Sequence, residues 1–303
     1  MNFRQLELFT KVAENRSVTK TAKQFYMSQP AVSQAITELE DKLQLRLFER
    51  INHKMLITSA GETMYQYSKR ILSLMEELES TMKDIANTRM GKLRIGASTT
   101  IGVYLLPSLL GDFQSQYHNI ETQFFIDNTL VIEEMIKDNT IDVGLVEGPV
   151  HSPDVIVRHL AVDKLFLICS PKHKWARANK KSIKPDELTE ETLIFREIGS
   201  GTREVIEHSL NQHKIKYKPA HVLNNTEAIK NAVIANIGIA FLPEIAVEND
   251  IKAGHLVHVD VEDIVFTRDF NLIFHKDKYH STLFSAFIDF VITYMANRSI
   301  NHY

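Results

Sequence analysis

The chain holds 303 residues, 44 % hydrophobic and 24 % charged, enough apolar material for two globular domains. Its single cysteine, Cys169, excludes an intramolecular disulfide and a cysteine-based zinc site, and no run approaches ~18 apolar residues, so no membrane span is expected. The net charge of −3 argues against a nucleic-acid binder only until it is divided. Residues 1–57 carry nine Lys/Arg against six Asp/Glu, and the rest carry 26 against 32. A basic head on an acidic body fits a small nucleic-acid module, although many enzymes show a similar asymmetry. The N-terminus MNFRQLELFTKVAEN lacks a signal peptide's apolar core and cleavage site, and a reducing, cytoplasmic location is expected.

Phe3, Leu6, Phe9, Val12 and Ala13 recur at helical spacing and predict a first helix ending near Asn15. Ser17 offers an N-cap for a second helix with Val18, Ala22 and Phe25 buried. Ser28-Gln29-Pro30 reads as a third start, since proline costs no hydrogen bond in the first turn. This helix is expected to bury Val32, Ile36, Leu39 and Leu43. Its other face shows Gln29, Ser33, Gln34 and Thr37, short hydrogen-bonding groups suited to base edges and phosphates. A merely solvated face would carry more Lys and Glu, and here Glu38, Glu40, Asp41 and Lys42 gather at the C-terminal end. Ile51 and Met55 to Ile57 are expected to pair around Asn52-His53-Lys54. The result is either a wing that brings Arg50, His53 and Lys54 to DNA backbone or minor groove, or an ordinary solvated turn.

The stretch SVTKTAKQFYMSQPAVSQAITELEDKLQLRLFER, followed by LITSAGE, resembles the DNA-binding head of LysR-type transcriptional regulators. SQPAVSQAI, LE, LF-x-R and T-x-A-G fall in order at that family's spacings. Thr21 stands where a second alanine is usual, and Gln44 replaces the usual glycine after the third helix. The resemblance implies an N-terminal all-α winged helix-turn-helix with a long linker helix. Behind it would lie a C-terminal α/β two-lobed domain like a periplasmic binding protein. The head would occupy 1–58, the linker and hinge 59–91, and the effector-binding domain 92–303.

From Gly61 to about Asn87 the sequence stays helical. Met64, Ile71, Leu78 and Ile85, with Ser68, Met75 and Met82 four residues after the first three, form an a/d seam. Such a helix, roughly 40 Å long at ~1.5 Å per residue, finds its simplest partner in a second copy. Packing on its own body is the alternative. A dimer would read two half-sites of an interrupted palindrome in double-stranded DNA. The family resemblance adds a homotetramer and lowers the alternative. Thr88-Arg89-Met90-Gly91 is the expected hinge.

From Lys92 short apolar strands alternate with helices: LRIGAS, TQFFI, DVGLV, KLFLICS, TLIFR, AHVLN, GIAFL and DFNLIF. This predicts α/β layers on mostly parallel sheets. Two hydroxyl-rich loops follow strands, Ser98-Thr99-Thr100 and Gly199-Ser200-Gly201-Thr202-Arg203. Hydroxyls, backbone N–H groups and a guanidinium suit an anion, while plain helix caps are the competing reading. By resemblance, lobe I spans 92–162 and 268–303, lobe II spans 163–267, and the effector lies between them. Ser98, Thr99, Thr100, Ser200, Gly201, Thr202, Arg203 and Thr226 are then its expected contacts. Glu147 is expected to line the cleft, although an acid repels an anion. GSGTR is common in the branch holding regulators of sulfur assimilation and carbon fixation.

No H-E-x-x-H, G-x-S-x-G, Walker A or complete G-x-G-x-x-G pattern is present, and neither enzyme activity, cofactor nor metal is expected. His173 and His208 read as solvated, and Cys169 as packed. A transport binding protein would need an export signal and would leave the head unexplained. A DNA-binding structural protein would lack a pocket.

Overall fold

Side-chain caps set the starts of the first three helices. Asn2 Oδ1 accepts from Gln5 N–H before α1 (Phe3–Asn15), Ser17 from Lys20 N–H before α2 (Val18–Gln24), and Ser28 from Ala31 N–H before α3 (Gln29–Leu43). The computed structural model describes residues 1–51, 54–85, 91–118 and 120–300. The chain divides into two compact units, residues 1–88 with 138–140, and 89–137 with 141–303.

In the first unit Phe9, Val12, Val18, Ala22, Val32, Ile36 and Leu39 form one buried cluster, closed by Leu47 and Phe48. Leu43, read as buried, is exposed, because α3 ends there and Gln44 turns left-handed at φ 54°. Glu40, one of the charges gathered at the C-terminal end of α3, is buried. The chain after Gln44 folds back, and Glu40 Oε1 accepts from the N–H groups of Leu47 (2.7 Å) and Phe48 (3.1 Å), while Oε2 meets Arg46 (3.0 Å). The departure at Thr21 is also explained. Its hydroxyl oxygen lies 2.9 Å from the Ser17 carbonyl and accepts from Asn15 Nδ2 at 3.1 Å, tying α1 to α2.

Strands β1 (Phe48–Ile51) and β2 (Lys54–Ile57) pair antiparallel, with Phe48 opposite Ile57. Thr58 then accepts from Gly61 N–H at 3.0 Å at the head of α4 (Ser59–Ile85). A Cβ on Gly61 would fall 2.2 Å from the Leu47 carbonyl oxygen, so only glycine lets α4 lie against the chain there. Met64 and Tyr65 pack on the head's own core and Ser68 is buried, so the upper turns of the expected seam serve the head. Leu74, Leu78 and Met82 further along are about half exposed. The hinge residues Thr88, Arg89 and Met90 lie outside the described residues, as does the side chain of Ile85.

The second unit opens with β3 (Gly91–Ser98), α5 (Thr99–Tyr104), α6 (Leu106–Gln116), β4 (Ile120–Asp127), α7 (Thr129–Lys137) and β5 (Val143–Glu147). The long strand β6 (Val155–Cys169) leads to α8 (Lys174–Arg177), β7 (Ser182–Ile183), a 3-10 turn at Pro185–Glu190 and β8 (Leu193–Arg196). Then follow α9 (Gly201–Gln212), β9 (Pro219–Leu223), α10 (Thr226–Ile234), β10 (Ala240–Pro243), α11 (Glu244–Lys252), β11 (Val257–His258) and β12 (Asp260–Val261). Strand β13 (Thr267–His275) and α12 (Thr282–Ile300) close the chain.

The main sheet runs β10-β6-β13-β5-β3-β4, with β11 also on β6. It is mixed rather than mostly parallel. Strand β3 runs parallel to β4 and β5, but β13 is antiparallel to both β5 and β6. The reason is that the chain crosses between lobes on β6 and returns on β13. The expected breaks at 162/163 and 267/268 therefore fall inside continuous strands. One lobe buries Leu93, Ile95, Leu109, Phe113 and Phe287 on one sheet face and Ile132, Ile136 and Ile273 on the other. The other buries Leu167, Trp175, Phe195 and Leu210 around one cluster and Ile168, Ile194, Ile229 and Leu242 around a second. Among the described residues no helix is long and apolar enough to cross a membrane.

Candidate functional site

On the head, Ser28, Gln29, Pro30, Gln34 and Thr37 are exposed and Ser33 is half-buried, so all six lie along the outer side of α3. Gln34 Nε2 donates to Glu38 Oε1 (2.9 Å), and Thr37 Oγ1 donates to the Ser33 carbonyl (3.1 Å). Both side chains are thus held by their own helix. Tyr26, which the sequence reading passed over, sits fully exposed at φ 54° in the turn between α2 and α3. Arg50 lies on β1 and Lys54 on β2; their side chains, and His53 as a whole, lie outside the described residues.

In the second unit both hydroxyl-rich loops close on one buried place. Ser98, Thr100, Ser200, Thr202, Thr226 and Glu147 are all buried. Neither Ser98 nor Ser200 caps its helix through its side chain. Instead Ser98 Oγ accepts from Glu147 N–H (3.2 Å), binding the end of β3 to the end of β5.

Two arginines absent from the sequence expectations occupy the centre. Arg268 on β13 has no exposed side chain. Its Nη2 donates to Thr100 Oγ1 (3.1 Å) and its Nη1 to Thr202 Oγ1, so one guanidinium touches both loops. It also pairs with Asp163 (2.8 Å), its cross-strand neighbour on β6, and faces Glu147 at 3.4 Å. Arg196 at the end of β8 does the same with other hydroxyls. Its Nη1 donates to Thr226 Oγ1 (3.3 Å) and its Nη2 to Thr99 Oγ1 (3.2 Å). Glu197 meets it bidentately at 2.8 and 2.9 Å. Burial raises the Asp163 carboxyl above its ordinary value and Arg268 only partly offsets this. Burial also works against Glu197, but there Arg196 wins and holds the carboxyl low.

Arg203, expected among the effector contacts, is engaged elsewhere in this structure. Its Nε pairs with Glu207 one turn along α9 (3.0 Å), and its Nη1 donates to the Arg196 carbonyl (3.1 Å). An (i, i+4) carboxylate on its own helix outcompetes the cleft. Gly201 contributes through its lack of a side chain, since a Cβ there would stand 1.9 Å from the Glu147 carbonyl oxygen. Tyr104 on α5 donates to Glu227 on α10 at 2.5 Å. The signal that marks Arg196 and Arg268 in the sequence is a charge inside the apolar strands TLIFR and TRDFNLIF.

His173, read as solvated, is largely buried and accepts from Trp175 N–H (3.3 Å) while facing Glu191 (3.2 Å), because it starts α8. Cys169 is buried and its thiol is pushed up to about 11 by burial. Among the described residues no cluster of His, Cys, Asp or Glu suits a metal ion.

A helix-turn-helix head joined to a two-lobed α/β body with converging donors is the architecture of a DNA-binding regulator with a ligand-sensing domain. The chain belongs to the LysR family: residues 3–62 match the bacterial regulatory helix-turn-helix protein, lysR family, and residues 86–296 match the LysR substrate binding domain. LysR regulators bind DNA and small-molecule effectors. A probable RuBisCO transcriptional regulator of Thalassiosira pseudonana is 33 % identical over 291 residues, covering 93 % of this chain and 94 % of that protein. Such relatives fall in the carbon-fixation branch to which GSGTR pointed. The regulatory domain of CcmR from Synechocystis PCC6803, solved in complex with 2-PG, is 26 % identical with a TM-score of 0.63, covering 69 % of this chain and 99 % of that one. Full-length CbnR complexed with its target DNA shares the fold at 23 % identity and a TM-score of 0.70, covering 96 % of this chain and 99 % of that one.

Proposed function

We propose that the protein is a cytoplasmic homodimer, joined through α4 and paired into a tetramer, that reads an interrupted palindrome in double-stranded DNA. A small anion between the lobes changes how its heads engage that DNA. On this reading residues 1–58 are the DNA-binding domain, 59–91 the linker and 92–303 the sensor. Lobe I takes 92–162 and 268–303, and lobe II 163–267. Ser28, Gln29, Pro30, Ser33, Gln34 and Thr37 meet the major groove, while Arg50, His53 and Lys54 meet backbone or minor groove. Thr99, Thr100, Thr202 and Thr226 contact the effector together with Arg196 and Arg268, beside the Ser98 and Ser200-Gly201 backbone.

The observation that carries the effector reading is the pair of buried guanidiniums, each donating to one α5 threonine and one hydroxyl from the other lobe. Buried cations with forked donors are what a carboxylate or phosphate requires. The CcmR domain holds 2-phosphoglycolate, an anion of this kind. A ligand that bridges lobes favours the closed form and shifts the population towards it.

A thermal-shift screen of small anions that includes 2-phosphoglycolate supplies the ligand. Calorimetry on the full chain should then show Thr100→Ala and Thr202→Ala each weakening it by about 10-fold or more, a lost hydrogen bond to a charged group. Footprinting without ligand should show operator binding nearly unchanged. Wild-type affinity in both variants would overturn the cleft assignment.

A further inference from the structure

Arg268 is already answered twice. One guanidinium faces two buried carboxylates, Asp163 at 2.8 Å and Glu147 at 3.4 Å. An anion stripped of all protons would meet surplus negative charge in a place where water does not screen it.

Glu147 adds an independent observation. Its Oε1 accepts from Thr100 N–H (3.4 Å) and faces Arg268, but its Oε2 is buried without a hydrogen-bond partner. An ionised carboxylate oxygen can only accept, and leaving one buried and unpaired is costly. The threonines around it have the opposite capacity. Thr100 and Thr202 accept from Arg268, which leaves each hydroxyl proton to donate to a ligand oxygen. The cleft therefore offers donors on one side and one acceptor with an unmet hydrogen bond on the other.

We infer that Glu147 makes this cleft select oxyanions that still carry a proton, of which a phosphate monoester is the type case, over permanently ionised ones such as sulfate esters. The inference rests on the reading of the cleft as the effector site. A phosphate monoester loses its last proton near pH ~6, so a sizeable fraction retains a P–OH close to that pH. That P–OH donates to Glu147 Oε2 while the remaining oxygens accept from the threonines and guanidiniums. A sulfate ester has the same shape but no proton to give, and places an anionic oxygen against the carboxylate. Discrimination by a missing hydrogen-bond donor at a buried acceptor is steep.

The test titrates the full chain at pH 6.5 with 2-phosphoglycolate and with its isostere, the sulfate ester of glycolate, and with inorganic phosphate against sulfate. We expect wild type to prefer each phosphate species by about 100-fold. Glu147→Gln, whose amide can donate to sulfate, should bring the ratio to within roughly 3-fold. Equal wild-type affinity for both esters, or undiminished discrimination in Glu147→Gln, overturns the inference while leaving the cleft reading intact. If none of the four anions binds, the inference falls, while the cleft reading still stands or falls by the Thr100→Ala and Thr202→Ala variants. Should Glu147→Gln fail to fold, as a melting curve would show, the wild-type pairs alone decide.

Discussion

Arg268 and Arg203 show how differently two arginines of one sensor are placed. Arg268 is buried and answers Asp163 and Glu147, so Arg268→Met would leave two buried carboxylates without their cation. That change is expected to cost about 3–5 kcal/mol in chemical denaturation. Arg203→Met removes a partly exposed (i, i+4) pair and the hydrogen bond to the Arg196 carbonyl, and should cost about 1–2 kcal/mol, clearly less than Arg268→Met. Equal losses would mean that the pairing around Arg268 contributes nothing special. In the head, Glu40→Ala orphans the N–H groups of Leu47 and Phe48 and should cost about 1–3 kcal/mol per group. Glu40→Gln keeps an acceptor oxygen and should cost clearly less, which a pair of melting curves would show.

Among the elements, β3, β5 and the segment leading to α12 are tied by Asp142. Its carboxylate accepts from Arg94 N–H (2.7 Å), from the Arg94 guanidinium (2.9 Å) and from Lys278 (3.0 Å). Burial alone would push this carboxyl up, but Arg94 and Lys278 prevail and hold it below the ordinary value. The unfolded chain therefore binds this proton more readily than the folded one. The stabilisation is complete above the ordinary value of ~3.9 and is lost as pH falls through the folded value. Asp142→Asn should lower stability at neutral pH by about 3 kcal/mol and flatten the acid limb below pH ~4. A variant with an unchanged acid limb would refute this linkage. The meeting of α9 with the end of β5 depends equally on Gly201. Gly201→Ala would drive a methyl into the Glu147 carbonyl, part the lobes and weaken by about 10-fold or more the binding of any anion that the proposed cleft takes up. Calorimetry with an unaltered circular dichroism spectrum checks it.

For the assembled molecule the exposed apolar stretch of α4 matters most. Leu74, Leu78 and Met82 lie one helical turn apart along it, about half exposed, and a second α4 would cover them. If two α4 helices pair as proposed, glutamates at Leu74 and Leu78 together should dissociate that dimer and abolish operator binding through lost bivalency. Sedimentation of that double variant as an intact dimer would contradict the pairing. Coupling between sensor and heads must be reciprocal, so any factor by which an anion alters operator affinity must reappear in the anion's affinity when operator is present.

The first helix starts, the family and the two hydroxyl loops were legible because each is written in a short stretch: Ser17 and Ser28 beside apolar periodicity, SQPAVSQAI, GSGTR; that the two loops meet came only from the family resemblance. Local chemistry decides caps and turns, so local reading finds them. The arginines at the centre of the cleft stand in the sequence as charges within strands, but their partners were not legible. Asp163 lies 105 positions before Arg268, and only the antiparallel register of β6 on β13 sets them side by side. The same holds for Glu40, in sequence one of four charges at the end of a helix, over which the left-handed turn at Gln44 brings two backbone N–H groups. A buried charge is identified by the partners that compensate it, and those partners come from strands and turns that only the folded chain brings into contact.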